Sequence, residues 1–320
     1  VNYDKSSKFV EQTTSPIIFD GNTEQKSTPI SGARATLALP LGRVRSAKPK
    51  KSIEKNLLPF LKWPGGKRWL FEQCPALIPK QLDGRYIEPF LGGGAMFFAL
   101  NPREAILSDL CSDLFYVYRG IRNQHQAVSR ILSIHAENHS RDYYYKVRQS
   151  EPEHIAERAA RLLYLNRTCF NGIYRVNRQG KFNVPLGSKT SVIRPDDDFQ
   201  AWSTALRRAQ IKHCDFESVI DEAREGDFIF ADPPYTVRHN ENGFIKYNEI
   251  LFSWDDQVRL RDCLQRAKNR NVRILVTNAN HESLRNLYQN GFKQFIVSRF
   301  SPIAACSESR NRYEELVITA

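Results

Sequence analysis

Asp232-Pro233-Pro234-Tyr235 is the tetrapeptide of this chain whose residue types best suit chemistry. It follows Phe228-Ile229-Phe230-Ala231, a fully apolar run of the kind that buried parallel strands show. In open α/β folds, ligands bind where such strands end. Two prolines fix the backbone and remove two N–H donors, which leaves carbonyls as acceptors. A carboxylate beside a rigid carbonyl is an acceptor pair for an amino group, and the adjacent aromatic can stack on a flat base. The set suits an exocyclic amine on a purine or pyrimidine. The plainer reading is a Pro-Pro stop after a strand.

A second feature is Phe90-Leu91-Gly92-Gly93-Gly94, between the apolar run Tyr86-Ile87-Glu88-Pro89-Phe90 and a helix predicted over Ala95 to Leu100. Glycines there let backbone approach a ligand closely. The pattern is not the dinucleotide GxGxxG, because Phe97 stands where the third glycine belongs. Pro64-Gly65-Gly66-Lys67-Arg68 is not a phosphate P-loop either: Leu61 replaces its first glycine and Arg68 the Ser/Thr that holds magnesium. Asp109 ends the next apolar run, Ala105 to Asp109, where an acid often accepts from ribose hydroxyls. Its alternative role is a helix cap, and Asp113 is a second candidate for the ribose.

The elements that must position these residues read as α/β. Strand, glycine-rich loop, helix and strand follow each other between residues 86 and 109, which argues for a parallel sheet. Residues 113–165 read as helical. Residues 167–195 are punctuated by Gly172, Gly180, Gly187, Pro185 and Pro195, with a hairpin over Val176 to Phe182 turning near Gln179-Gly180. A helix near 201–209 and a strand near Ile211 follow. Further strands are predicted at Val272–Val276, Phe295–Arg299 and Glu315–Thr319, and Ser253 with Asp256 reads as a capping box opening a helix to about Ala267. Residues 1–55, rich in Ser, Thr, Pro, Lys and Gln, read as a mostly disordered basic arm. The expected organisation is that arm, a catalytic domain from 56–114 and 216–320, and an insert at 115–215.

The chain has 320 residues, 41% of them hydrophobic, so a substantial core is possible. Mean hydropathy is −0.51 and no apolar run approaches a membrane span. With no secretory pattern at the start, a soluble, cytoplasmic protein without a membrane partner is expected. Six cysteines are scattered without zinc spacing, so reduced thiols and no metal are expected. The net charge of +12 suits a polyanionic partner, nucleic acid first.

Five motifs occur in an order that resembles the DNA adenine methylase family, the alpha-type N6-adenine methyltransferases that include GATC-methylating enzymes. They are Leu61 to Lys67, Glu88 to Gly94, Arg167 to Gly172, Phe182 to Pro185 and Asp232 to Tyr235. The resemblance covers about residues 57–320. It implies a Rossmann-like S-adenosylmethionine methyltransferase sheet, with an inserted, mostly helical target-recognition domain and a β-hairpin. It implies S-adenosylmethionine as cofactor and double-stranded DNA as partner. Trp63, Lys67, Phe90, Gly92, Gly94 and Asp109 would bind the cofactor, with Asp232 beside it. Asp232 and the Pro233 carbonyl would accept from the target N6 amino group, Pro234 would stiffen the loop, and Tyr235 would stack on the flipped adenine. Lys62 and Arg175 match positions that read guanines, and Pro185 lies in the recognition hairpin. Phe170 and Asn171 match residues that enter the duplex beside the flipped base. The best-known GATC enzymes carry Tyr where Phe170 stands. An RNA or protein-glutamine methyltransferase is the nearest alternative, and a catalytically silent DNA-binding relative is another. The Arg167–Pro185 pattern argues against the first, and the intact Asp232 loop and glycines argue against the second.

Overall fold

Two faces of one sheet organise the molecule. A computed structural model describes residues 42–43, 57–177, 179–236, 252–300 and 312–320. The strands are β1 (Gly42–Arg43), β2 (Tyr86–Glu88), β3 (Ala105–Asp109), β4 (Ala209–His213), β5 (Phe228–Ala231), β6 (Arg273–Ala279), β7 (Lys293–Phe300) and β8 (Arg312–Thr319). The helices are α1 (Trp69–Gln73), α2 (Ala95–Leu100), α3 (Ser112–Glu137), α4 (Arg141–Gln149), α5 (Ile155–Thr168), α6 (Phe199–Leu206), α7 (Phe216–Asp221), α8 (Trp254–Asn269) and α9 (Glu282–Leu287). Short 3-10 turns cover Pro75–Leu77 and Phe170–Gly172.

The strand order is β1-β7-β8-β6-β5-β2-β3-β4. β2 through β6 pair in parallel, and β8 runs antiparallel between β6 and β7. From β2 the chain winds outward to β3 and β4. It then crosses back to place β5 on the other side of β2. The direction reverses between β2 and β5, and a crevice at such a reversal is where open α/β sheets bind ligands.

Alternation along the strands sorts side chains to two cores. Tyr86, Leu107, Phe228, Phe230 and Leu275 share one core with Phe97 of α2, Tyr118 of α3, Leu163 of α5 and Trp202 of α6. Ile87, Ile106, Ile229, Ile274 and Val276 share the other with Val219 of α7, Leu264 of α8 and Leu284 of α9. The helical segment after β3 therefore lies on the sheet face itself, with no core separate from it.

The expected strands and the helix over Ala95–Leu100 form, and Ser253 and Asp256 close the capping box that opens α8. Three boundaries differ. The helical region splits into α3, α4 and α5, because Ser140 caps a new helix by accepting from Tyr143 N–H, and an extended Ser150 ends it. The insert expected to end at 215 contains β4, whose backbone pairs with β3 along its whole length. The segment outside the sheet thus ends near residue 208. Gly42–Arg43, inside the expected arm, pairs with β7 at Phe295 and Ile296. The rest of that arm lies outside the described residues. Among the described residues, no helix is long and apolar enough to cross a membrane.

Candidate active site

Glu88, Asp109 and Asp232 end β2 and β3 or follow β5, so the parallel pairing brings three carboxylates to one edge. Glu88 is 2% exposed and accepts from Tyr86 Oη at 2.9 Å. Burial pushes its pKa well above the usual carboxylate range. Asp109 accepts Gly92 N–H at 3.0 Å and Cys111 N–H at 2.9 Å, which ties the glycine loop to the start of α3. Burial raises its pKa, and these two hydrogen bonds oppose the rise.

Asp232 is held from two sides. Thr277 Oγ1 donates to Oδ1 at 2.6 Å, and Lys67 Nζ lies 2.9 Å from Oδ2. Burial raises the Asp232 pKa; the Lys67 ammonium and the Thr277 hydroxyl pull it back down. Lys67 also donates to Gly65 O at 2.6 Å, stands 3.8 Å from Glu315 Oε2 and lies 5.0 Å from the centre of the Tyr235 ring. Tyr235 Oη donates to Glu315 Oε2 at 2.8 Å. The prolines leave Pro234 O as an acceptor, and Gln257 Nε2 donates to it at 3.3 Å. Asn278 Nδ2 in turn holds Gln257 Oε1 at 3.1 Å.

The segment from Leu61 to Lys67 connects three parts of the molecule. Buried Asn166 of α5 pairs its amide with both backbone groups of Lys62, each at 2.9 Å. Trp63 stacks on Tyr174, ring centres 4.9 Å apart, and Tyr174 Oη donates to Asp113 at 2.9 Å. Trp63 also packs on the glycine loop. Gly92 has φ +47°, and a Cβ there would come within 2.9 Å of the indole Cδ1. Gly94 has φ +64°, and a Cβ there would stand 2.7 Å from Tyr118 Oη. Both positions therefore need glycine on backbone and packing grounds. Phe90 stacks on Phe216 and meets Phe252 edge-on, and Arg259 covers Phe216 at 4.2 Å.

A second group is exposed. Phe170 N–H donates to Pro185 O at 2.9 Å, and Cys169 bridges to Leu186. Phe170, Asn171, Arg175 and Pro185 all face solvent, with Phe170 53% exposed. Asn171 has φ +56°, and its carbonyl accepts from Lys62 Nζ. The bridge between Val176 and Phe182 forms the expected hairpin, and Arg175 Nε is fixed by Asn183 Oδ1 at 2.8 Å. These exposed residues hang from a buried anchor: Arg167 donates to both carboxylate oxygens of Asp197, at 2.6 and 2.7 Å, and to Val192 O.

Contacts thus join Asp232, Lys67 and Tyr235 in one group and Trp63, Gly92, Gly94 and Asp109 in a second, and the chain from Trp63 to Lys67 links the two. Lys62, Phe170, Asn171 and Pro185 form a further group, joined to the others through the neighbouring Trp63. Sequence reading missed Glu315, Thr277, Gln257, Asn166 and Phe216. Each acts through a partner at least 20 residues distant along the chain, and local pattern carries no trace of such pairs. Among the described residues, no group of three His, Cys, Asp or Glu side chains could hold a metal ion.

Residues 63–301 match the family described as MethyltransfD12, D12 class N6 adenine-specific DNA methyltransferase. The chain is 36% identical over 273 residues to the type II methyltransferase M1.LlaDCHI of Lactococcus lactis subsp. cremoris, covering 82% of this chain and 95% of that one. It is 32% identical to the type II methyltransferase M.MjaIII of Methanocaldococcus jannaschii, covering 81% and 98%. It is 31% identical to the DNA adenine methylase of Haemophilus influenzae, covering 84% and 97%.

Proposed function

This chain belongs to the D12 class of N6 adenine-specific DNA methyltransferases, and from that membership we propose that it transfers methyl from S-adenosylmethionine to a flipped adenine in duplex DNA, with GATC as the target. The observation that carries the reading is the position of the Asp232 loop. It leaves β5 at the point where the strand order reverses, beside the glycine loop that leaves β2.

The residues present fit the cofactor. Asp109 offers carboxylate oxygens for ribose hydroxyls, and Leu110 beside it is an exposed apolar side chain. The Gly92 N–H is tied to Asp109, which sets the glycine-loop backbone beside that carboxylate. When bound, the cofactor supplies a methyl group activated on a sulfonium. The chain's part is to hold the acceptor. The adenine N6 lone pair is delocalised into the ring, so the nitrogen is a poor nucleophile. Asp232 and the Pro233 carbonyl accept its two N–H groups and draw the lone pair toward the nitrogen. Burial raises the Asp232 pKa, and the Lys67 ammonium beside it opposes that rise and so favours the ionised acceptor. Tyr235 provides the face for the base. The remaining requirements are alignment and exclusion of water. An adenine inside a duplex is out of reach, so the base must leave the stack.

We assign target recognition to residues 110–208, with Lys62 and Arg175 on guanines and Phe170 and Asn171 entering the gap the adenine leaves. The test is transfer of labelled methyl from S-adenosylmethionine to duplex DNA, RNA and protein in parallel, followed by nucleoside analysis and mapping of the modified sites. N6-methyladenine in DNA, confined to GATC, is the expected product. Label in RNA or protein alone, or modified adenines outside GATC, contradicts the corresponding part.

A further inference from the structure

The two prolines of the Asp232 loop have no N–H with which to anchor it, so the direction of the Pro233 carbonyl must be set from outside. That carbonyl lies in one rigid plane with the ring nitrogen of Pro234. Pro233 is buried, and no described residue donates to its oxygen. The next carbonyl is the one that is gripped: Gln257 Nε2 donates to Pro234 O at 3.3 Å. The loop is also held on either side of the prolines. Asp232 accepts from Thr277, and Thr236 Oγ1 donates to Phe252 O at 2.6 Å. Gln257 acts on the proline pair itself.

Gln257 stands near the start of α8, and both it and Asn278 of β6 are fully buried. An amide can be turned end for end, so its use as a donor needs something to fix its sense. Here both ends of the chain of contacts are backbone groups with one sense each. Ala279 N–H can only donate, and it meets Asn278 Oδ1 at 2.9 Å. Asn278 Nδ2 then faces Gln257 Oε1 at 3.1 Å, which leaves Gln257 Nε2 for Pro234 O, a carbonyl that can only accept. The contacts therefore run from a strand of the sheet to the loop. We infer that Gln257 is a positioning residue for transfer: by holding Pro234 O it aims the Pro233 carbonyl at the target amine, and Asn278 fixes the sense of its amide. The inference rests on the proposed transfer to an adenine amine. It separates two tasks at one loop. Lys67 and Thr277 act on the charge of Asp232, and Gln257 acts on direction. A neutral amide suits that task, because it adds no charge beside the carboxylate.

The test is single-turnover methyl transfer by the full chain, with S-adenosylmethionine and a GATC duplex both saturating. Titrations beside it give the two dissociation constants, and urea unfolding checks the fold. Gln257→Met keeps the length of the side chain and loses the amide. Its rate should fall roughly a hundredfold, the cost of displacing a reacting group by about 1 Å, while both dissociation constants stay within about twofold of wild type. A merely structural role would weaken both ligands along with the rate. A folded Gln257→Met that transfers at the wild-type rate, or that loses rate and affinity together, overturns the inference and leaves the reading of the function standing. If Gln257→Met does not fold, Asn278→Ala decides. It keeps Gln257 and frees its amide to turn, so the rate should fall with both affinities unchanged. An unchanged rate, or a joint loss of rate and affinity, overturns the inference. Wild-type protein that transfers no methyl to the duplex removes the reading of the function, and this inference with it.

Discussion

The edge of the sheet and the exposed loop at residues 169–186 divide the work in opposite ways. At the edge, Lys67, Asp232, Tyr235 and Glu315 are buried or half-buried, and each has a charged or hydroxyl partner within 4 Å. At the loop, Phe170, Asn171, Arg175 and Pro185 are exposed, and their order comes from residues behind them: Asn166, Arg167 and Asp197. On the proposed reading, the groups assigned to chemistry are held directly, because small displacements of reacting atoms are expensive. The groups assigned to reading a partner are held at the root and left open at the tip. The comparison teaches where a substitution should damage rate, where it should damage stability and where it should damage selectivity alone.

The largest effect belongs to the edge. Asp232→Ala should lower methyl transfer by roughly a thousandfold, since it deletes an acceptor aimed at the reacting nitrogen. DNA affinity should change little, because phosphate contacts dominate it. Single-turnover transfer and a DNA-binding titration check both halves, and near-normal turnover would break the comparison. On the proposed mechanism the same carboxylate should set the acid limb of the rate. That mechanism requires Asp232 ionised, and burial raises its pKa in the folded protein. Activity should therefore be lost, as pH falls, at a value above the ordinary aspartate pKa of about 3.9. Lys67→Gln removes the cation that opposes the rise, so its acid limb in single-turnover rate against pH should move to higher pH.

Next in size is the root of the loop. Arg167 is fully buried and its partner Asp197 nearly so. Arg167→Met leaves Asp197 without its ion-pair partner, with only the Arg194 N–H among the described residues still donating to it, and should cost about 3–5 kcal/mol of stability in urea unfolding. A loss under about 1 kcal/mol would mean that the loop does not depend on this anchor.

The tip should behave differently. Arg175→Ala removes an exposed side chain, so stability should stay within about 0.5 kcal/mol. Discrimination at one base pair should fall by about 1–3 kcal/mol. Methylation of a randomised-site library reads this directly. Equal loss at every sequence would make Arg175 a phosphate contact instead.

Much of this architecture was legible in the residues. β3 and β5 were read with their observed bounds, because fully buried parallel strands are short apolar runs with a polar stop. The glycine loop and the Asp232 loop were legible because their local conformations demand particular residues. The pairs that make the edge a site were not. In sequence Glu315 is one residue of a plain final strand, yet it accepts from Tyr235, 80 positions earlier in the chain. Thr277 and Asn278 were hidden in the same way on β6. β4 was placed with the insert because sheet membership is decided by the partner strand, and nothing within Ala209–His213 names β3. The six-residue helices α7 and α9 are too short to show a period.

The smallest effect tests the basic run before Leu57, where Lys48, Lys50, Lys51 and Lys55 cluster. Changing these four to Gln leaves Gly42–Arg43 in place. If they meet flanking phosphates, log affinity against log salt should flatten by roughly 0.9 per lost contact. An unchanged slope excludes the run from the interface.

The central claim is that Asp232 and the Pro233 carbonyl receive the amino group of an adenine taken out of its duplex. It is tested most directly by a crystal structure of the full chain with a GATC duplex and sinefungin. The account predicts an extrahelical adenine with N6 within hydrogen-bond distance of both acceptors and its ring on Tyr235. An adenine still paired in the duplex, or an extrahelical base whose N6 meets neither acceptor, would contradict it.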